Sequence, residues 1–212
     1  VNLKVIPMHV IMTSIFADLG MDAFTQGAGP QAAVEKVMVD YRGKKVKGRR
    51  LSVRSTIPMP LEKAWENVKT PALLQFIARG MIKFHPVGEP LPKYWEVGQT
   101  YAVSMRIFGF LPFGGAHYLF IEKIDEDRRE LSTREWDKAA KVWNHDITMR
   151  DLGDGRIQYE DVITIYGGWM TGFITAFAKQ FYKYRQRRWQ LVAKEGMDFT
   201  GNRHFNSGQR LV

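Results

Sequence analysis

Residues 168–194, GWMTGFITAFAKQFYKYRQRRWQLVAK, constrain this chain more than any other stretch. Met170, Phe173, Phe177, Phe181, Tyr184 and Leu191 recur at helical spacing, with Ile174 and Val192 at the edge of the stripe. Gly167 and Gly168 break whatever precedes the helix, and Gly196 follows it where a C-terminal stop is expected. Lys183, Arg185, Arg187 and Arg188 gather toward the C-terminal end, where cations complement the macrodipole. A long helix with one apolar face draws its stability from packing that face on something else. The rest of the chain must supply the surface.

The upstream pattern is mostly strand. Leu51, Val53, Ser55 and Ile57 alternate with Arg50, Ser52, Arg54 and Thr56, which predicts a half-buried strand over Arg50–Ile57. Two short helices follow, Leu61–Val68 and Pro71–Ala78, the second opened by a proline whose missing N–H costs nothing in a first turn. Beyond Gly80 the spacing predicts strands at Met81–Val87, Gln99–Phe108, His117–Asp125, Glu130–Asp137, Val142–Arg150 and Arg156–Ile165. Connections this short imply an antiparallel meander. One strand, two helices, a run of antiparallel strands and a long last helix make an α+β layout, with the helix covering one face of a curved sheet. In Val142–Arg150, Trp143, His145, Ile147 and Met149 share one face; Tyr101, Val103, Met105 and Ile107 do so in theirs. His117–Ile124 is apolar on both faces, so its register stays open.

The first 48 residues read differently. Helical windows are expected at Thr13–Phe24 and Gln31–Tyr41, on either side of the breaker Gly27–Pro30. A basic run, Arg42 to Arg50, then reads as a solvated hinge. The expected division is an extension or weakly helical arm over 1–46, a domain over 47–196 and a tail over 197–212. The arm is the one candidate for oligomerisation, and the oligomeric state itself is open.

The order of elements and several short motifs resemble the START-like, or SRPBCC, superfamily, whose helix-grip fold includes Bet v 1 allergens and polyketide cyclases. The resemblance runs from about Lys47 to Gly196. It rests on the stretch Ile57–Trp65, on Leu91-Pro92 with Trp95 and Gly98, and on Phe108-Gly109 with Leu111–Gly114. Trp143-x-His145 and the segment Phe181–Trp189 complete it. The resemblance implies a cavity between sheet and last helix that holds an apolar small molecule or lipid.

The residues make their own case for such a cavity. Ligand sites are mostly apolar, with a few polar groups to fix orientation. Aromatic and thioether walls adapt to a flat or greasy guest. The expected lining is Met105, Tyr118, Trp143, Met170, Phe173 and Phe177, with Glu135, His145, Tyr159 and Asp161 as polar groups. An ionised group in such surroundings needs a partner, so His145 is expected to pair with Glu135 or Asp161 across neighbouring strands. The leading reading is a binder or carrier of a hydrophobic small molecule or lipid. The alternative is a cyclase/aromatase-type enzyme that uses the polar cluster.

Other classes are disfavoured. With no cysteine there is no disulfide framework, thiol chemistry or thiolate-bound metal. The five histidines lack ligand spacing, so no metal is expected. No phosphate loop, nucleophile elbow or dinucleotide fingerprint occurs; no cofactor and no catalytic residue is assigned. The net charge of +9 permits an anionic partner. Nucleic acid is disfavoured, because Tyr182, Tyr184 and Trp189 among the basic residues also sit at core spacing. The apolar stretch Phe108–Phe113 reads as a hairpin tip that closes the cavity, with peripheral membrane contact as the alternative. No stretch reads as a membrane span or a secretory signal, and a cytoplasmic location is expected.

Overall fold

The computed structural model describes residues 29–201. The helical window at 13–24 and the tail beyond 201 lie outside the described residues. Among the described residues eight antiparallel strands form one sheet: β1 (Gln31–Tyr41), β2 (Lys44–Ile57), β3 (Ile82–Pro86), β4 (Thr100–Ile107), β5 (Leu111–Asp125), β6 (Glu130–Trp136), β7 (Val142–Asp151) and β8 (Ile157–Tyr166). Their order across the sheet is β1-β2-β8-β7-β6-β5-β4-β3. Helices α1 (Leu61–Val68) and α2 (Pro71–Ala78) follow β2. A 3₁₀ turn at Gly168–Met170 leads into α3 (Thr171–Lys194), which packs against β2, β8 and α2. This is the α+β layout expected from the periodicities, in the helix-grip form that the resemblance implies.

One expectation is overturned. Gln31–Tyr41 is a strand rather than a helix, paired in register with β2 from Gln31↔Arg54 to Tyr41↔Lys44. The basic run 42–50 is the hairpin turn and the first half of β2 rather than a hinge, so a boundary at 46/47 falls inside β2. Pairing decides the matter: β2 already lies on β8 and has a free edge, and β1 satisfies that edge. Gly48 permits the crossing, since a Cβ there would stand 2.5 Å from Val39 Cγ2.

Side-chain alternation sends one face of the sheet inward. Leu51, Val53 and Ile57 of β2, Val103, Met105 and Ile107 of β4, and Ile157, Ile163 and Ile165 of β8 are buried. The core has two lobes. One gathers Leu51, Val53, Met105, Ile163, Phe177 and Phe181. The other gathers Ile57, Trp65, Ile121, Tyr159, Trp189 and Val192. On α3 the residues between the lobes are Arg185 and Gln186; on β8 the residue between them is Asp161. All three are buried, so a polar seam divides the apolar interior.

The helix starts are locally specified. Thr70 Oγ1 accepts the Leu73 N–H at 3.2 Å, which caps α2, with Pro71 at its first turn. Thr171 Oγ1 accepts the Gly167 N–H at 3.0 Å and donates to the Gly168 carbonyl at 2.7 Å, which fixes the corner between β8 and α3. Gly167 has no room for a side chain: its Cβ would press on Ile174 Cδ1 and stand 2.7 Å from the Ala139 carbonyl oxygen. Gly167→Ala is therefore expected to lower stability by about 1–3 kcal/mol. Urea unfolding should show a lower midpoint at unchanged slope.

Candidate ligand cavity

Between the sheet, α2 and α3 lies a cavity of about 80 Å³. Its apolar wall includes Leu74 and Ile77 from α2, Met105 and Ile107 from β4, and Phe177 and Phe181 from α3. The rings of Phe177 and Phe181 lie nearly parallel with centroids 6.4 Å apart. The polar wall comes from His117 (β5), Thr133 and Glu135 (β6), Asp137 (the β6–β7 turn), His145 (β7) and Arg185 (α3).

Five of the expected lining residues are on this wall: Met105, Glu135, Trp143, His145 and Phe177. Tyr159 and Asp161 do not line it; they are fully buried beside it and connect to it through His145 and Arg185. Three more of the expected residues do not line it. Tyr118 points to the outer face, 38% exposed, and stacks on Trp136 at 5.5 Å. Phe173 is 38% exposed, and Met170 sits in the 3₁₀ turn before α3. Regular helix begins only at Thr171, so the inward face runs through Ile174, Ala178, Phe181, Arg185, Trp189 and Val192 rather than through Phe173.

The polar wall has two hydrogen-bonded groups. In the first, His117 is held at both ring nitrogens: Nδ1 is 2.9 Å from Asp137 Oδ2, and Nε2 is 2.9 Å from Glu135 Oε2. Thr133 Oγ1 donates to Glu135 Oε1, and the Ala139 and Ala140 N–H groups donate to Asp137 Oδ1, each at 2.7 Å. Burial opposes a charge on His117, but its bonds to Asp137 and Glu135 outweigh burial and raise its pKa to about 9. Burial likewise opposes the Glu135 carboxylate; the His117 partner overrides it and holds the carboxyl below its ordinary range. His117 is therefore an imidazolium at neutral pH, clamped between two carboxyl groups.

The second group is the seam. Asp161 Oδ1 is 2.8 Å from His145 Nε2 and accepts the Tyr159 O–H at 3.1 Å; Oδ2 accepts from Gln186 Nε2 at 2.9 Å. Gln186 Nε2 also donates to the Val53 carbonyl at 2.7 Å, tying α3 to β2. Arg185 Nη2 donates to Tyr159 Oη at 3.2 Å and lies 3.6 Å from Asp161 Oδ1. Burial disfavours the Asp161 carboxylate, yet Arg185, His145 and Gln186 hold its pKa low. His145 Nδ1 is 4.0 Å from Glu135 Oε1, so the two groups nearly meet at His145. The expected pairing of His145 thus occurs with Asp161 at hydrogen-bond distance and with Glu135 at a longer one.

His117, Thr133, Asp137 and Arg185 were not singled out as cavity residues from the sequence. Arg185 is the most unusual. It lines the cavity, is 4% exposed, and its Nε has no hydrogen-bond partner among the described residues. Among the described residues no group of three or more His, Asp or Glu side chains is placed to hold a metal ion. The chemistry available is hydrogen bonding and charge among buried side chains.

No protein-family model and no curated protein matches the chain. Solved structures do. A START superfamily protein from Mycobacterium smegmatis superposes with a TM-score of 0.54 at 10% identity, over 70% of this chain and 99% of that one. The Zhui aromatase/cyclase from Streptomyces superposes with a TM-score of 0.54 at 12% identity, over 69% and 93%. Major latex-like protein 151 from Panax ginseng gives 0.51 at 13% identity, over 68% and 96%. At such identities the likeness is one of fold.

Proposed function

We propose that this chain, which has the helix-grip fold of START-like proteins, binds a small apolar molecule between the sheet and α3, with a polar atom of the guest directed at the polar wall. The observation that carries this reading is Arg185: a buried cation on the polar wall of the cavity with one N–H unanswered. Leaving a buried donor unpaired costs about 1–3 kcal/mol, which an acceptor oxygen on a guest would recover. The acids of the wall make no such demand, because Glu135 and Asp137 are engaged with His117. The START superfamily protein and the Zhui aromatase/cyclase share this fold, which supports a ligand-holding role.

The free space sets a condition. Small-molecule sites run to roughly 300–1,000 Å³, and the cavity here is about 80 Å³. A guest of drug size must push the Phe177 and Phe181 rings aside. The full chain, freshly purified, is expected to carry a small apolar species detectable by native mass spectrometry and recoverable by solvent extraction. Phe177→Ala, which removes one of the two rings, is expected to raise uptake of an apolar fluorescent dye several-fold. A chain that purifies empty, with no dye uptake by either form, refutes the reading.

The cyclase-type alternative rests on the buried histidine–carboxyl contacts. It requires a general base near its operating pH. His117 holds its proton through neutral pH and does not meet that requirement. His145, with Nε2 on Asp161, is the remaining candidate.

A further inference from the structure

The connections of a meander alternate between the two ends of the sheet, and here the ends differ in character. The register places five connections at one end: residues 42–43, 79–81, 108–110, 137–141 and 167–170. Tyr41 faces Lys44, Ile107 faces Leu111, Glu135 faces Trp143, and Val142 faces Tyr166. Arg42, Lys138 and Lys141 are exposed in these connections; their one acid, Asp137, is buried against His117. The connections at the other end, 87–99, 126–129 and 152–156, hold five acids, Glu89, Glu96, Glu126, Asp127 and Asp154, beside four bases, Lys93, Arg128, Arg129 and Arg156. The molecule therefore has one end without exposed acid in its turns and one end where acids and bases are mixed.

The basic end also carries the most exposed large apolar side chains among the described residues. Trp169 is 94% exposed and Phe110 is 69% exposed, with Leu111 and Phe173 partly exposed beside them. Lys141 Nζ stands 5.9 Å from the ring centres of both Tyr41 and Tyr166, and close to Gly168, so a cation lies next to the turn that presents Trp169. Nothing in the fold asks for an indole in full contact with water. An amphipathic ring flanked by cations suits the headgroup layer of a bilayer with anionic lipids, where apolar burial and charge attraction add. Exposed bases with no exposed acid in the turns favour an approach in which this end leads.

We propose that this end of the sheet docks on an anionic bilayer surface, with Trp169 and Phe110 entering the headgroup layer and Arg42, Lys138 and Lys141 facing the lipid phosphates. The contact is peripheral; among the described residues no helix is long and apolar enough to cross a membrane. The proposal is independent of what the cavity holds, since none of these five side chains lines it.

The test is co-sedimentation of the full chain with vesicles of phosphatidylcholine alone and of phosphatidylcholine mixed with phosphatidylglycerol. Binding is expected only to the mixed vesicles and is expected to vanish in roughly 1 M salt, where the screening length falls to about 3 Å. The double variant Lys138→Glu/Lys141→Glu should partition roughly tenfold more weakly or worse, given about 1 kcal/mol per basic residue near the surface. Trp169→Ala should weaken partition several-fold with no change in charge. The wild-type emission should shift to the blue on mixed vesicles, and Trp169→Phe should abolish that shift. All three positions are exposed, and circular dichroism checks that each variant folds. Equal binding to both vesicle types, no binding, or variants that sediment like the wild type would overturn the proposal. So would variants whose only loss is for a single-stranded RNA oligonucleotide offered in place of vesicles.

Discussion

Asp161→Ala is expected to lower the free energy of unfolding by about 3–5 kcal/mol, the usual cost of breaking a buried charge pair by removing one partner. Asp161 has no solvent exposure and accepts from three side chains, His145, Tyr159 and Gln186, with Arg185 at 3.6 Å. Deleting the carboxylate strands a buried guanidinium. It also cuts the Gln186–Asp161 bond between α3 and the middle of β8, leaving Arg185 on Tyr159 there. Asp161→Asn keeps an acceptor but removes the charge opposite Arg185, so an intermediate loss is expected. The control is Asp154→Ala, whose carboxylate pairs with Arg156 at the exposed β7–β8 turn; that change should leave the urea midpoint where it was. If Asp161→Ala and Asp154→Ala unfold together, the seam is not what holds the helix to the sheet.

The seam also shows what the sequence could and could not reveal. The two short helices, seven of the eight strands and the long helix were legible to within a few residues at most ends, because each buries a full face and its periodicity follows. β1 was not. Val34, Val37, Met38 and Tyr41 happen to fall at helical spacing, while the strand is an edge with only Val39 buried, so no period-2 signal develops. His117 was lost for a different reason. β5 carries apolar residues on both faces, and a one-residue slip exchanges every side chain. The structure, with a bulge between Ile121 and Lys123, sends His117, Leu119 and Ile121 inward and leaves Tyr118 outside. Arg185 was hidden by its neighbours, since Lys183, Arg187 and Arg188 make it look like one more surface cation. Its spacing was the available signal: it lies four residues after Phe181 and four before Trp189, on the face that turns inward.

The second large effect is a dependence on pH. The ring of His117 has a pKa of 6.5 when unfolded and about 9 in the native state. Below pH 6.5 both states hold the proton, and the stabilisation from its two carboxyl partners is fully present. Above pH 6.5 the unfolded chain releases the proton while the native state keeps it, so stability falls by about 1.4 kcal/mol per pH unit until the native ring also titrates near pH 9. The total loss is on the order of 3 kcal/mol, undiminished by solvent because His117 is only 4% exposed. Glu135 and Asp161 act in the opposite sense. Their native pKa values are lowered, so their contribution is present above the ordinary carboxylate range and is lost as the pH drops below it. Together these groups make a dome of stability with its top between about pH 5 and 6.5. His117→Gln keeps a hydrogen-bonding side chain and cannot titrate. It is expected to start from lower stability and to lose the alkaline decline, while its acid limb, set by Asp161 and the other carboxylates, persists. Chemical denaturation across pH 4–10 reads both limbs. An alkaline limb in His117→Gln that runs parallel to the wild type would mean that the proton on the cavity wall belongs to some other group.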